Sequence, residues 1–377
     1  MKRIIIIFLL LAVLPLRSFA LEPEGKSALL MEVATGTVLF EKNADEPLAP
    51  ASVTKVMTML LVMEAIDSGS ISWEDTVTAS AAAAAKGGSQ VYLKEGETMT
   101  VRDMLKSIAV SSANDCACAM AEHIAGSEEA FVERMNARAK ELGMENTHFV
   151  NCTGLDDGPE AVNHRTTARD IAIMSRELLV KHPAIKEFTT IWMDTIRDGA
   201  FGLSNTNKLV RFYPGATGLK TGFTASAMYC LSASAQRDGM ELIAVVMGAP
   251  SSGARFSACK ALLDYGFAGY SVYTPELVEE PLVPVRLGKT AYARGLLRGE
   301  PLLVEKSRTA AITTELTLAE SLPAPVAEGS RIGTLRILAG EEVLAEYPLT
   351  AETLVEKLTW WDVFRKMLAG TAMAETE

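Results

Sequence analysis

The 377-residue sequence predicts an α/β domain followed by a small β-rich domain. Three observations carry that expectation. A hairpin-like stretch near the amino terminus precedes a long series of helix-patterned segments, and β-patterned runs return at 229–246. From Pro275 the texture changes: seven of the fifteen prolines fall in 275–348, among short alternating runs without helical periodicity. Hydrophobic residues at 49% against 22% charged suffice for full-sized cores and exclude global disorder.

Met1–Ala20 has basic Lys2-Arg3, an apolar run Ile4–Leu14 and then Ser18-Phe19-Ala20, with small residues at 18 and 20. It reads as a secretory signal peptide, because eleven apolar residues fall short of the roughly 20 that cross a bilayer. Ala28–Val33 and Thr37–Phe40 flank Ala34-Thr35-Gly36 as a hairpin. After Pro47 and Pro50 the pattern turns helical from Ser52, with Val53, Val56, Met57, Leu60 and Leu61. Thr98–Ala125 is mostly helical, broken near Ser111-Ser112. Ser127 caps a further helix that Gly143 closes. Tyr229–Ala235 and Leu242–Val246 are β-like, joined by a turn at Arg237-Asp238-Gly239. Val283–Leu287, Ala311–Leu318 and Ile332–Leu338 supply the β-rich domain. From Glu352, Leu354, Leu358, Trp361, Phe364 and Leu368 form one apolar stripe of an amphipathic tail. The expected division is a leader at 1–20, a first domain at 21–273, a β-rich domain at 274–351 and a tail at 352–377.

The formal net charge is −11, and loss of Lys2, Arg3 and Arg17 with the leader takes it to −14. A field of that sign repels a phosphate backbone and excludes nucleic acid as a partner. Cysteines at 116, 118, 152, 230 and 259 include no C-x-x-C and cannot make a complete disulfide framework; Cys116 and Cys118, on a helix, read as buried free thiols. The four histidines show no metal-ligand spacing, and no H-E-x-x-H occurs, so no metal is expected.

Chemistry resides in three short motifs, Ser52-Val53-Thr54-Lys55, Ser112-Ala113-Asn114 and Lys220-Thr221-Gly222. S-x-x-K alone is weak, since Ser257-Ala258-Cys259-Lys260 matches it too. Ser52 differs by lying at a helix start after Pro50, where i, i+3 spacing puts its hydroxyl and the Lys55 amine on one face. A serine hydroxyl needs an adjacent base to act as a nucleophile. Lysine serves only where desolvation or a second cation lowers its pKa, and Lys220 is the candidate for that cation. Lys220-Thr221-Gly222 on a strand edge offers charge, a hydroxyl and a close backbone approach, which suits a peptide ending in a free carboxylate.

With these motifs in this order, the chain resembles the serine-type D-alanyl-D-alanine carboxypeptidases of the low-molecular-mass penicillin-binding proteins, the type-5 group. Pro50–Thr58, Ser112–Gly154 and Gly215–Thr224 look like the family's text, with Ala113 standing where the S-D-N pattern has Asp. The resemblance is strong over about 25–270 and looser over 275–350. It implies a β-lactamase/transpeptidase-like α/β fold, an antiparallel sheet flanked by helices, with the β-rich appendage. By the same resemblance Ser52 is the acylated nucleophile, Lys55 its general base and Ser112 the proton relay to the leaving amine. Asn114 would hold the substrate amide, and Lys220 and Thr221 the terminal carboxylate. Gly222 would let the substrate backbone approach, and the N–H groups of Ser52 and Phe223 would form the oxyanion hole. Arg255 resembles a family arginine near the site. No cofactor is implied.

The resemblance implies peptidoglycan stem peptides as substrates, β-lactam antibiotics as inhibitors, and an exported enzyme touching the outer face of the cytoplasmic membrane through its tail. A D,D-endopeptidase of cross-links carries the same motifs and stays as the alternative. A class A β-lactamase would need an E-x-x-L-N loop, which is absent between Ser112 and Lys220. A silent wall-binding protein would need none of the six polar side chains of these motifs.

Overall fold

A computed structural model describes residues 21–373. The expected signal peptide, 1–20, lies outside the described residues. The first domain is built on a five-stranded antiparallel sheet: β1 (Ser27–Glu32), β2 (Val38–Lys42), β3 (Ala216–Thr224), β4 (Met228–Arg237) and β5 (Met240–Ala249). Their spatial order is β2-β1-β5-β4-β3. β3, which carries Lys220-Thr221-Gly222, is therefore an edge strand with one side open to pairing.

The sheet is covered on both faces, and its sequence shows why. Alternate side chains leave a strand on opposite faces, so a doubly covered central strand must be apolar throughout. Every residue of β5 is buried. Leu29, Met31, Ile243 and Val245 face a core that includes Val56, Leu60, Ile171 and Met174 of two helices, α1 (Lys55–Asp67) and, further along the chain, Ala168–Lys181. Ala28, Leu30, Leu242 and Val246 face Ala258, Leu262 and Leu263 of the helix Ser252–Gly269. The mainly helical segment between β2 and β3, which also holds two small two-stranded sheets, includes α2 (Val101–Ser111), α3 (Asn114–Ala125) and α4 (Glu128–Glu141), the last capped by Ser127 Oγ accepting from Ala130 N at 3.1 Å. The turn after β4 has Asp238 and Gly239 both at positive φ, the geometry of a tight hairpin loop. All five cysteines are buried free thiols.

The β-rich domain is a six-stranded sheet between Leu282 and Ala351 with its own core of Val283, Ile332, Ile337, Leu349 and Val355. Here the structure revises the tail. Val355 exchanges two backbone hydrogen bonds with Val326, at 3.0 and 2.8 Å, and Leu358 N donates to Leu287 O. Leu354 and Leu358 thus precede the helix instead of extending its stripe. The sequence pattern misled because the residue this stretch buries is Val355, which lies off the stripe, while Leu354 on the stripe is exposed. The final helix, α5 as labelled here, spans Trp360–Met373. It begins with a reciprocal cap: Asp362 N donates to Thr359 Oγ1 at 3.2 Å, and Thr359 N to Asp362 Oδ2 at 2.8 Å.

Candidate active site

Ser52 sits in a single 3-10 turn, Ala51–Thr54, that runs directly into α1. Ala51 has φ +49, a conformation that non-glycine residues rarely adopt, so the surroundings must hold it. Thr54 Oγ1 donates to Ala51 O at 2.8 Å. His164 Nε2 lies 2.8 Å from the same hydroxyl, and Val150 N donates to His164 Nδ1 at 3.2 Å. With Nδ1 accepting, the proton is on Nε2, and His164 is a neutral strut that donates to Thr54. Burial lowers its pKa to about 4, consistent with a neutral ring.

Two glycines explain how closely the chain wraps this turn. A Cβ on Gly154 would lie 1.8 Å from Ala51 O, and one on Gly222 would lie 2.7 Å from Pro50 O and 3.1 Å from Ser52 N. Gly154→Ala is therefore expected to cost about 3 kcal/mol or more, seen as a fall of roughly 6–12 °C in melting temperature. Gly199→Ala, at a comparable φ of +88 but with nothing within 4 Å, separates backbone strain from collision and should cost only about 1 kcal/mol. Equal losses at the two positions would refute the collision.

Lys55 is fully buried, and its Nζ lies 3.0 Å from Ser52 Oγ and 2.8 Å from Thr153 O. Burial lowers its pKa from 10.5 to about 7, against the opposing pull of Cys152 and Asp115. Lys220 is the expected second cation: the two buried amines repel each other, and the Lys220 pKa is held well below 10.5, first by burial, then by Lys55 and Arg255. Desolvation is the largest cause that makes Lys55 a base near neutrality.

Ser112 caps α2 in the left-handed region, φ +63, and is 3% exposed. Asn114 opens α3; its Nδ2 donates to Gly87 O at 2.7 Å and its N to Ser89 O at 2.7 Å. Its Oδ1 is buried without a protein partner, an acceptor that costs free energy unless an N–H meets it. Asp115 holds the neighbouring loop by accepting from Val91 N and Leu93 N. On β3, Lys220 is fully buried and donates to Thr221 O at 2.8 Å, while Thr221 Oγ1 donates to Thr206 Oγ1 at 2.6 Å. Phe223 is exposed and packs on Tyr229, ring centroids 4.4 Å apart. Arg255 Nη1 donates to Gly222 O at 2.9 Å and Cys230 O at 3.3 Å, pinning β3 to β4.

The three motifs thus converge. Ser52 meets Lys55 directly and β3 through Gly222. Thr206 N, donating to Val110 O at the end of α2, ties the Ser112 junction to Thr221. Sequence reasoning missed Thr206, the Thr153 carbonyl, Asp115, Gly154 and the strut role of His164. Only Asp115, beside Asn114, and the polar triplet Asn205-Thr206-Asn207 carried a local signal.

Comparison with known proteins agrees with this geometry. Residues 17–251 match the D-alanyl-D-alanine carboxypeptidase family, and 289–357 match the C-terminal domain of penicillin-binding protein 5. The chain is 44% identical over 349 residues to the D-alanyl-D-alanine carboxypeptidase DacF of Bacillus subtilis, covering 90% of this chain and 88% of that one. It is 34% identical to DacC of Escherichia coli, covering 89% and 85%. The crystal structure of penicillin-binding protein 5 from Haemophilus influenzae superposes with a TM-score of 0.75 at 29% identity, covering 89% and 98%. Penicillin-binding protein D2 of Listeria monocytogenes, solved in an ampicillin-bound form, matches at 33% identity and TM-score 0.60 over 66% of this chain and 99% of its own. The sheet of β1–β5 with its helical layers is thus the transpeptidase-like fold, and the chain belongs to the serine-type D-alanyl-D-alanine carboxypeptidase family.

Proposed function

We propose that this enzyme removes the terminal D-alanine from peptidoglycan pentapeptide stems through an acyl-enzyme on Ser52, and that β-lactams acylate the same hydroxyl. The observation that carries the reading is the buried Lys55 amine, its pKa lowered to about 7, 3.0 Å from Ser52 Oγ. Neutral Lys55 accepts the Ser52 proton while still donating to Thr153 O. Ser52 Oγ then bonds to the penultimate D-alanine carbonyl carbon, and the Ser52 and Phe223 N–H groups hold the oxyanion. The C–N bond breaks, the leaving amine takes a proton through Ser112, and water cleaves the ester in the second half-reaction. Asn114 Oδ1 accepts from the substrate amide, Lys220 and Thr221 hold its carboxylate, and Gly222 leaves room for its backbone. The test is incubation with labelled penicillin, with a peptide ending in D-Ala-D-Ala and with a cross-linked peptide dimer. Covalent mass on Ser52 and release of D-alanine support the reading; faster cleavage of the dimer would make the enzyme an endopeptidase.

The reading includes an exported enzyme resting on the outer face of the cytoplasmic membrane. Among the described residues no helix is long and apolar enough to cross a membrane. Trp360 and Trp361 are 70% and 64% exposed, and both cluster with Phe364 on α5, which supports an interfacial helix. A chain ending at Thr359 keeps the Val355–Val326 pairing and is expected to lose most of its flotation with anionic vesicles. Flotation unchanged from the full chain would remove the anchor.

A further inference from the structure

Beside the catalytic machinery, two buried thiols converge on one carboxylate. Cys118 lies on α3 and Cys152 in the loop that follows α4, and both are fully buried. Cys152 Sγ lies 3.2 Å from Glu128 Oε1, and Cys118 Sγ lies 3.7 Å from Glu128 Oε2. The two thiols also share a side-chain hydrogen bond. The other three cysteines face elsewhere. Cys116 meets Ser107, Cys230 the carbonyls of Ala49 and Ala227, and Cys259 the carbonyl of Ala244. Residues two apart on a helix do not share a face, so Cys116 does not compete with Cys118 for Cys152.

Joining these thiols would take little from their surroundings. A thiol is a weak donor, and Glu128 keeps stronger partners in the Lys86 ammonium and in Cys152 N at 3.2 Å. The bond would fasten the loop beneath the catalytic base. Cys152 O accepts from Thr58 Oγ1 at 2.6 Å, Thr153 O accepts from Lys55 Nζ at 2.8 Å, and Gly154 packs against Ala51 O. Burial, then the Cys118 thiol and Glu128, hold the Cys152 thiol well above its usual pKa. The folded protein thus offers little of the thiolate that disulfide exchange requires. The bond would have to form while the chain folds, before the pair is enclosed.

We propose that Cys118 and Cys152 are a modification site: they form a disulfide as the chain folds outside the cytoplasm, and it ties the Thr153 loop to α3. This rests on the reading of an exported enzyme, because disulfides form and persist in oxidising compartments. One cysteine, as thiolate, attacks a small-molecule disulfide, giving a mixed disulfide and releasing one small thiol. The other cysteine, as thiolate, then attacks the protein sulfur of that intermediate, and the second small thiol leaves. The protein pair loses two protons and two electrons, and the small disulfide is reduced to two thiols.

The experiment takes the chain from Leu21, unfolds and reduces it, and refolds it with oxidised and reduced glutathione. The product is alkylated in denaturant and digested without reduction. A linked peptide pair holding Cys118 and Cys152 is expected, with Cys116, Cys230 and Cys259 recovered as alkylated thiols. The same glutathione mixture added to folded, reduced protein should form the bond at least about tenfold more slowly. The linked protein should melt about 5–10 °C above the reduced one, and this difference should vanish in Cys118→Ala and Cys152→Ala. Absence of the linked peptide, another pairing, or a linked protein that melts no higher refutes the proposal. The peptide map of the wild type decides even where a variant fails to fold. A second arm expresses the chain with its leader in a bacterial host and traps thiols in acid before digestion. A processed, exported chain with Cys118 linked to Cys152 supports the proposal, and an exported chain that stays reduced refutes it. A chain that never leaves the cytoplasm refutes the export reading instead, and the refolding arm then decides the pairing by itself.

Discussion

Ser52→Ala is expected to abolish covalent capture of penicillin and to lower D-alanine release by about 10⁴-fold or more, with an unchanged melting curve. The size of the loss follows from the arrangement. Every other group at the site acts on Ser52 Oγ or on the substrate that Oγ attacks, so without it there is no acyl-enzyme for them to serve. The fold should tolerate the change, because the turn is held by the Thr54, His164 and Ala51 contacts and not by the Ser52 side chain. Intact-protein mass spectrometry reads the first effect and a coupled D-alanine assay the second. Retention of both in Ser52→Ala would move the nucleophile elsewhere while leaving the reaction class in place.

Lys55 gives the second large effect, and its signature is pH. With a pKa of about 7, the amine is increasingly protonated below neutrality and cannot take the serine proton. Acylation should therefore fall about tenfold for each pH unit below 7 and level off above it. Lys55→Arg keeps a cation that does not deprotonate in proteins. It should lose about 10³-fold in acylation and show no rise through pH 7. A wild-type profile that is flat between pH 5 and 7 would refute Lys55 as the base.

The same lowered pKa makes folding stability depend on pH, over a higher range. A lysine whose folded pKa is lowered from 10.5 to about 7 binds fewer protons folded than unfolded between those values. Folding stability from this group thus increases as pH rises from 7 towards 10.5, and its cost is fully present below 7. Lys55→Met removes that dependence. Its melting temperature relative to wild type should improve by several degrees on going from pH 10 to pH 6, although activity is lost at both. The charged amine is retained in spite of this cost, the pattern expected of a group kept for chemistry.

How much of this was legible in the sequence can be argued from single elements. The hairpin of β1 and β2, the interruption at Ser111-Ser112 and the Ser127 cap are local events. Side-chain period and cap chemistry within a few residues specify them, so they could be read directly. The Ser52 and Lys55 partnership is also local, because i, i+3 spacing at a helix start brings the two together whatever the rest of the chain does. The tail was read less well. Its apolar spacing continued across Leu354 and Leu358, but pairing of Val355 with Val326 commits that stretch to the β-rich domain.

The sequence by itself determined the order of the elements, the β-rich second domain and the three motifs with their chemistry. What only the tertiary structure decided is which groups tune those motifs. Burial, a property of the whole packed domain, is the largest cause of the lowered Lys55 pKa. Gly154 is needed because Ala51 O, about a hundred residues earlier in the chain, lies where its Cβ would be. Thr206 meets Thr221 because a segment fixed by Asn205 and Asn207 reaches the open edge of β3. Contacts between distant residues leave no periodicity in the chain, so no local pattern announces them.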